Sequence, residues 1–232
     1  MSHKRIAILQ SNYIPWKGYF DLIAAVDEFI FYDDVQFTKN DWRNRNKIKT
    51  QSGLAWLSIP VGQNINRLIK EVRLNDASWQ QKHWSTLCQN YKRAACFESI
   101  AARLEPLYLR YRYQTLSELN RTLVEFACEE LGITTRLSWS WDYTLDGGKS
   151  ERLANLCEQA GASEYVSGPS AKNYLDETVF HNRSITVSYF DYGGYREYPQ
   201  LWGGFEHGVS IIDLLFNCGP AAPTYLKYVP LR

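Results

Sequence analysis

Two adjacent carboxylates, Asp33-Asp34, end the apolar run Glu28–Tyr32 (EFIFY) and open the segment Asp33-Asp34-Val35-Gln36-Phe37. Like charges this close repel unless a proton, a cation or a metal intervenes. One of them could serve as a general base toward an amine or hydroxyl, or hold Mg²⁺ through its oxygens. The plainer alternative is a turn carboxylate beside a solvated one. Gln36 follows as a polar neighbour. Downstream lies the most basic stretch, Trp42–Lys49 (WRNRNKIK). Its Arg43, Asn44, Arg45 and Lys47 suit phosphate binding or neutralisation of the aspartates, with guanidinium forks available for bidentate contact. A solvated basic face is the competing reading. Upstream, Gln10-Ser-Asn-Tyr13-Ile-Pro-Trp16 follows the first apolar run. A loop that leaves a strand and opens a helix presents backbone N–H groups to an anion. Gln10 and Tyr13 are candidate ligand contacts there, whereas Trp16 and Phe20 also fit simple core packing.

A second set of polar groups comes late in the chain. Asp146-Gly-Gly-Lys149-Ser150-Glu-Arg152 opens a helical pattern and could set an ammonium and amides against a phosphate, although Ser150 as an ordinary N-cap is the plainer and favoured reading. Ser167-Gly168 repeats the strand-to-helix geometry, with Tyr174 in the helix start that follows, and Gln200 adds an amide in the Tyr198-Pro-Gln segment. Neither a GxGxxG nor a GxxxxGK[ST] motif is present, so neither dinucleotide nor P-loop binding follows. The four histidines form no HxxxH or HExxH pair and no GxSxG elbow occurs, so no metal site and no serine triad is expected.

The elements that must carry these groups read as α/β. Arg5–Gln10 is a buried-strand run, and Pro15 suits a first helical turn. Trp16, Tyr19, Phe20 and Ile23 share one helical face, and Glu28–Tyr32 is the next strand. Strand, loop, helix and strand within about thirty residues make a βαβ unit with parallel strands. Ligands of open parallel sheets bind beyond the strands' carboxyl ends, where both polar clusters would sit. Ala55–Val61 and Ile69–Leu74 read as third and fourth strands. Ser78 with Gln81 reads as a capping box opening a helical region, and Gly132 stops its last helix. Strands at Thr135–Ser140, Glu164–Ser167 and Ile185–Phe190 alternate with helices at Ser150–Ala160 and Ser210–Phe216. The expected architecture is a single α/β domain over 1–232, a Rossmann-like, mostly parallel sheet with a helical insertion at about 76–133.

Composition narrows the function classes. The 232 residues are 45% hydrophobic and 15% aromatic, enough for a chain of this size to bury about 70% of its surface. A net charge of +1 recruits neither an extended nucleic-acid surface nor an anionic membrane. No apolar stretch approaches the roughly 18 residues of a membrane span, and the apolar run after the basic N-terminus is too short for a signal peptide. Five cysteines, an odd number with no CxxC pair, fit a reducing compartment. The expected location is cytoplasmic.

The segments QSNYIPWKGYF, DDVQFTKNDWRNRNKIK and SIIDLLFNCG, spread along nearly the whole chain, resemble the WbqC-like family of bacterial O-antigen and related polysaccharide gene clusters. Many relatives have Pro after the first Gln, where this chain has Ser11. The resemblance implies a step in making or decorating an amino sugar, with an acyl or aminoacyl group joined to the sugar amine. On this reading the partners are a nucleotide-linked amino sugar and a carrier-bound or tRNA-bound acyl donor, with no cofactor identified. Asp33 or Asp34 would deprotonate the attacking amine. Arg43, Arg45 and Lys47 would hold phosphate, while Gln10, Tyr13 and Gln36 orient the substrate. The rival readings are a Rossmann-like nucleotidyl or adenylyl transferase, which lacks an HxGH pair here, and a non-catalytic subunit of a polysaccharide assembly complex.

Overall fold

The structure, a computed structural model, describes residues 3–230. Chain order begins with β1 (Arg5–Leu9), α1 (Lys17–Ala24) and β2 (Glu28–Phe31), the expected parallel βαβ unit, with Ile6 opposite Glu28 and Ile8 opposite Ile30. A hairpin of β3 (Arg45–Thr50) and β4 (Gly53–Ser58) follows as a separate antiparallel pair. Then come three helices, α2 (Ser78–Tyr91), α3 (Phe97–Leu109) and α4 (Leu116–Leu131). The chain returns through β5 (Arg136–Trp139), α5 (Lys149–Gln159), β6 (Glu164–Ser167), α6 (Thr178–His181), β7 (Thr186–Tyr189) and α7 (Ile211–Cys218). Five strands form one parallel sheet in the order β5-β2-β1-β6-β7, so the direction of winding reverses between β1 and β6. No helix among the described residues is long and apolar enough to cross a membrane.

Alternating residues of the central strands point to opposite faces, and each face has its own core. Ala7, Phe29, Phe31 and Val166 join α1, α2, α3, α4 and α7 in the larger apolar cluster. Ile6, Ile8, Ile30 and Tyr165 join Ala154, Leu156 and Cys157 of α5 and Phe180 of α6 in the smaller one. The ends of α4 follow local rules. The Thr115 hydroxyl accepts from the Glu118 N–H at 3.2 Å, and Gly132 closes the helix at φ +74°.

Four local expectations change. Ile69–Leu74 is not a strand: the Glu71 carboxylate accepts the Leu68 N–H at 2.7 Å and winds Ile69–Glu71 into a 3₁₀ turn. The strand expected at 55–61 lies earlier, at Gly53–Ser58. Its partner is Arg45–Thr50, a segment too basic to look like a strand, whose Asn46, Ile48 and Lys49 are nonetheless buried. Ser78 builds no capping box, because its N–H and hydroxyl both go back to the Asp76 carboxylate, at 2.8 and 2.7 Å. Pro15 precedes the helix instead of lying in its first turn.

Candidate functional site

A crevice of about 760 Å³ opens at the carboxyl ends of β1, β2 and β6, where the strand order reverses. Gln10 comes from the end of β1, Tyr32 from the end of β2, and Ser167-Gly168 from the end of β6. Lys149 and Arg152 come from the first turn of α5, and Tyr174 and Tyr192 from later loops. Neither Lys149 nor Arg152 pairs with a carboxylate, and among the described residues none that lines the crevice is acidic. Glu151, between them in sequence, turns away to Arg183 at 2.5 Å. The Arg152 Nε is buried without a hydrogen-bond partner. Burial pushes the Tyr32 phenol up, with Arg152 beside it pulling the other way. Gly148 and Gly168 leave open space where a side chain would stand. Two cations without a carboxylate partner and the N–H groups of a helix start have the charge and donors that suit an anion.

Five of the residues expected from sequence therefore meet here: Gln10, Lys149, Ser167, Gly168 and Tyr174. The others are dispersed. Tyr13 does not line the crevice; it is fully buried, its hydroxyl bonded to His83 Nδ1 at 2.8 Å and to the Tyr108 hydroxyl at 2.7 Å. Gln200 serves the fold, donating to the Glu206 carbonyl and to Asp213, and accepting from Lys49. Asn44 is buried, with its amide on the Ile59 carbonyl at 3.0 Å. Gln36 is an exposed residue outside the crevice, and Arg43 is held by Asn12 and by Asp41 at 3.4 Å. Trp16 lines a separate slot, with Arg45 and Lys47 on the nearby hairpin.

The aspartate pair is not a pair of mutually exposed like charges. Asp33 is sealed: one oxygen accepts the Ser11 N–H at 2.8 Å, and the other accepts the hydroxyls of Ser11 and Ser117 at 2.7 and 2.5 Å. Burial raises its pKa, and these three hydrogen bonds oppose the rise. Asp34 accepts the Ser140 hydroxyl at 2.6 Å and forms an ion pair with Lys70. Lys70 in turn lines an open basin of about 840 Å³, with Arg73, Arg121 and the stacked Trp139 and Trp141.

The loop after β1 is held in an unusual shape. Ile14, a β-branched residue, sits at φ +36°. The side-chain amide of Asn46 donates to the carbonyls of Tyr13 and Ile14, at 3.1 and 2.9 Å, while the Tyr13 N–H bonds to the Trp42 carbonyl at 2.9 Å. Asn46 of the hairpin and Trp42, three residues before it, thus hold the loop by three hydrogen bonds. Sequence reasoning missed Asn46, because nothing local marks which backbone an amide will reach. Arg152 was more visible, three positions after Lys149 on the same helical turn.

The WbqC-like protein family model matches residues 10–225. The chain belongs to the WbqC-like family. Its matched span contains both aspartates, the whole hairpin and all of the crevice lining but Ile8 and Leu9. The chain is also 59% identical over 227 residues to the uncharacterized protein Rv1507c of Mycobacterium tuberculosis, a match that covers 97% of this chain and 98% of that one. No solved structure matches it significantly.

Proposed function

We propose that this WbqC-like protein is a cytoplasmic enzyme of surface-polysaccharide amino-sugar biosynthesis, one that binds a nucleotide-linked amino sugar and transfers an acyl or aminoacyl group to its amine. The observation that carries the binding half is the acid-free crevice with Lys149 and Arg152 unpaired on the first turn of α5. A diphosphate matches those two cations and the free amides in charge, and Tyr32, Tyr174 and Tyr192 offer rings to a sugar or base. The strand order supports a doubly wound, Rossmann-like reading of a single domain, with α2–α4 as its helical insertion. The transfer half rests on the family. Of the two aspartates, Asp34 is the better base, since it directly precedes Val35 of the crevice wall while Asp33 is sealed by Ser11 and Ser117.

Incubation with UDP- or dTDP-linked amino sugars and activated acyl or aminoacyl donors, read by mass spectrometry, tests the reaction. A mass gain at the amine is the expected result. Saturable sugar-nucleotide binding with no mass gain across a broad panel would favour the non-catalytic subunit instead. That reading has an observation of its own: among the described residues, no carboxylate lines the crevice. Unchanged sugar-nucleotide affinity in Lys149→Ala and Arg152→Ala would overturn the crevice as the binding site.

A further inference from the structure

The β3–β4 hairpin carries two cations that the fold leaves unpaired. Arg45 stacks its guanidinium on the Trp56 ring at 4.2 Å, and the Lys47 Nζ lies 5.2 Å from the same ring. Neither makes an ion pair among the described residues, and the Arg45 Nε is buried without a hydrogen-bond partner. β3 and β4 contain no acidic residue. Trp56 and Trp42 are 44% and 43% exposed, with ring centroids 5.5 Å apart, so two large apolar rings stand in solvent beside the unpaired cations. Trp42 also borders a slot of about 350 Å³, with Asn12, Pro15, Trp16, Asn46 and Gly208 as its other walls.

This slot adjoins the crevice. Trp16 packs at 5.5 Å against Tyr192, which lines the crevice, and both hollows border the loop that follows β1. Trp16 is also deliberately placed. A Cβ on Gly18 would stand 2.4 Å from the indole, so the glycine leaves room for the ring to fold over the first turn of α1.

We propose that the Trp16–Trp42 slot and the Arg45–Lys47 face form a second binding site, for the base and phosphate of a nucleotide. Indole rings stack any base through its π-face, and the guanidinium and ammonium meet the phosphate. The slot is of a size for one nucleotide and too small for an extended strand. Its closeness to the crevice places this ligand beside the first one. The site then takes the nucleotide end of a group donor. This last step rests on the transfer reading above, whereas nucleotide binding by the slot does not. A coenzyme A thioester and the 3′ end of a charged RNA share this chemistry, each presenting an adenine nucleotide with phosphate.

Titration of the full chain with adenosine 3′,5′-bisphosphate, coenzyme A and the trinucleotide CCA, followed by tryptophan fluorescence and calorimetry, tests the site. Saturable binding is expected, weakened by roughly 5- to 150-fold in Trp42→Ala, the worth of one base–aromatic stack. Arg45→Ala should weaken it and flatten its salt dependence. Lys149→Ala should leave it unchanged, which separates this site from the crevice. Gly18→Ala, by displacing the Trp16 ring, supplies a second probe in which no residue lining the slot or hairpin is itself substituted. Tighter binding of coenzyme A than of CCA identifies a thioester donor, the reverse order an RNA-borne one, and equal binding the shared nucleotide alone. Absence of saturable binding of all three to folded protein at millimolar concentration overturns the proposal. So does equal affinity in wild type, Trp42→Ala and Gly18→Ala.

Discussion

His83 should make this protein acid-labile in a window set by its own burial. The ring is 7% exposed; its Nε2 lies 3.2 Å from the Ser58 carbonyl and its Nδ1 2.8 Å from the Tyr13 hydroxyl. A carbonyl only accepts, so Nε2 carries the proton and Nδ1 accepts from Tyr13, whose oxygen in turn accepts from Tyr108. Burial lowers the His83 pKa from 6.5 to about 4. The unfolded chain takes up a proton near 6.5 that the folded chain refuses until about 4, so stability is full above 6.5 and falls as pH drops through this window. The whole shift corresponds to about 3 kcal/mol, of which about 2 kcal/mol is lost between pH 7 and 5. Asp21, Asp33 and Asp213 act with the opposite sign, because burial raises their pKa values and acid favours their folded, protonated forms. The wild-type curve alone mixes these effects. His83→Gln, which keeps a neutral amide in place of the ring, isolates the histidine. Urea midpoints at pH 7 and pH 5 should show wild type losing about 2 kcal/mol more than the variant over that interval. Parallel pH dependences, within about 0.5 kcal/mol, would refute the neutral-imidazole network.

The aspartates should separate cleanly. Asp33→Asn presents an amide to hydroxyl and N–H donors in a sealed site and should cost about 2–3 kcal/mol in denaturant unfolding. Asp34→Asn should cost less stability and, if Asp34 is the base, lower turnover by about 10²- to 10⁴-fold in the transfer assay. Asn46→Asp replaces the amide that grips the Tyr13 and Ile14 carbonyls with a carboxylate facing them, and should destabilise by about 3 kcal/mol, read as a fall in the urea midpoint. Raising salt from 50 to 200 mM should weaken sugar-nucleotide binding in wild type more than in a Lys149→Ala, Arg152→Ala double variant, as measured by calorimetry.

Local sequence determined the elements. The apolar runs of β1, β2 and β6, the helical face of Tyr19, Phe20 and Ile23, and the Gly132 end of α4 were legible because burial periodicity and end chemistry act within a few residues. The same patterns marked the polar strand-end segments as candidate sites. Where they misled, a nearby side chain had replaced the backbone's usual partner, as Glu71 and Asp76 do. Only the tertiary structure decided which polar residues share a site. Gln10 meets Lys149, Ser167 and Gly168 because β6 lies beside β1 in the sheet, an adjacency no local periodicity encodes. Asp33 is sealed because Ser117 arrives from α4, 84 residues away, and Tyr13 lies outside the crevice, its hydroxyl bonded to His83 and Tyr108. A buried polar group must find partners, and those partners are supplied by the packing of distant elements.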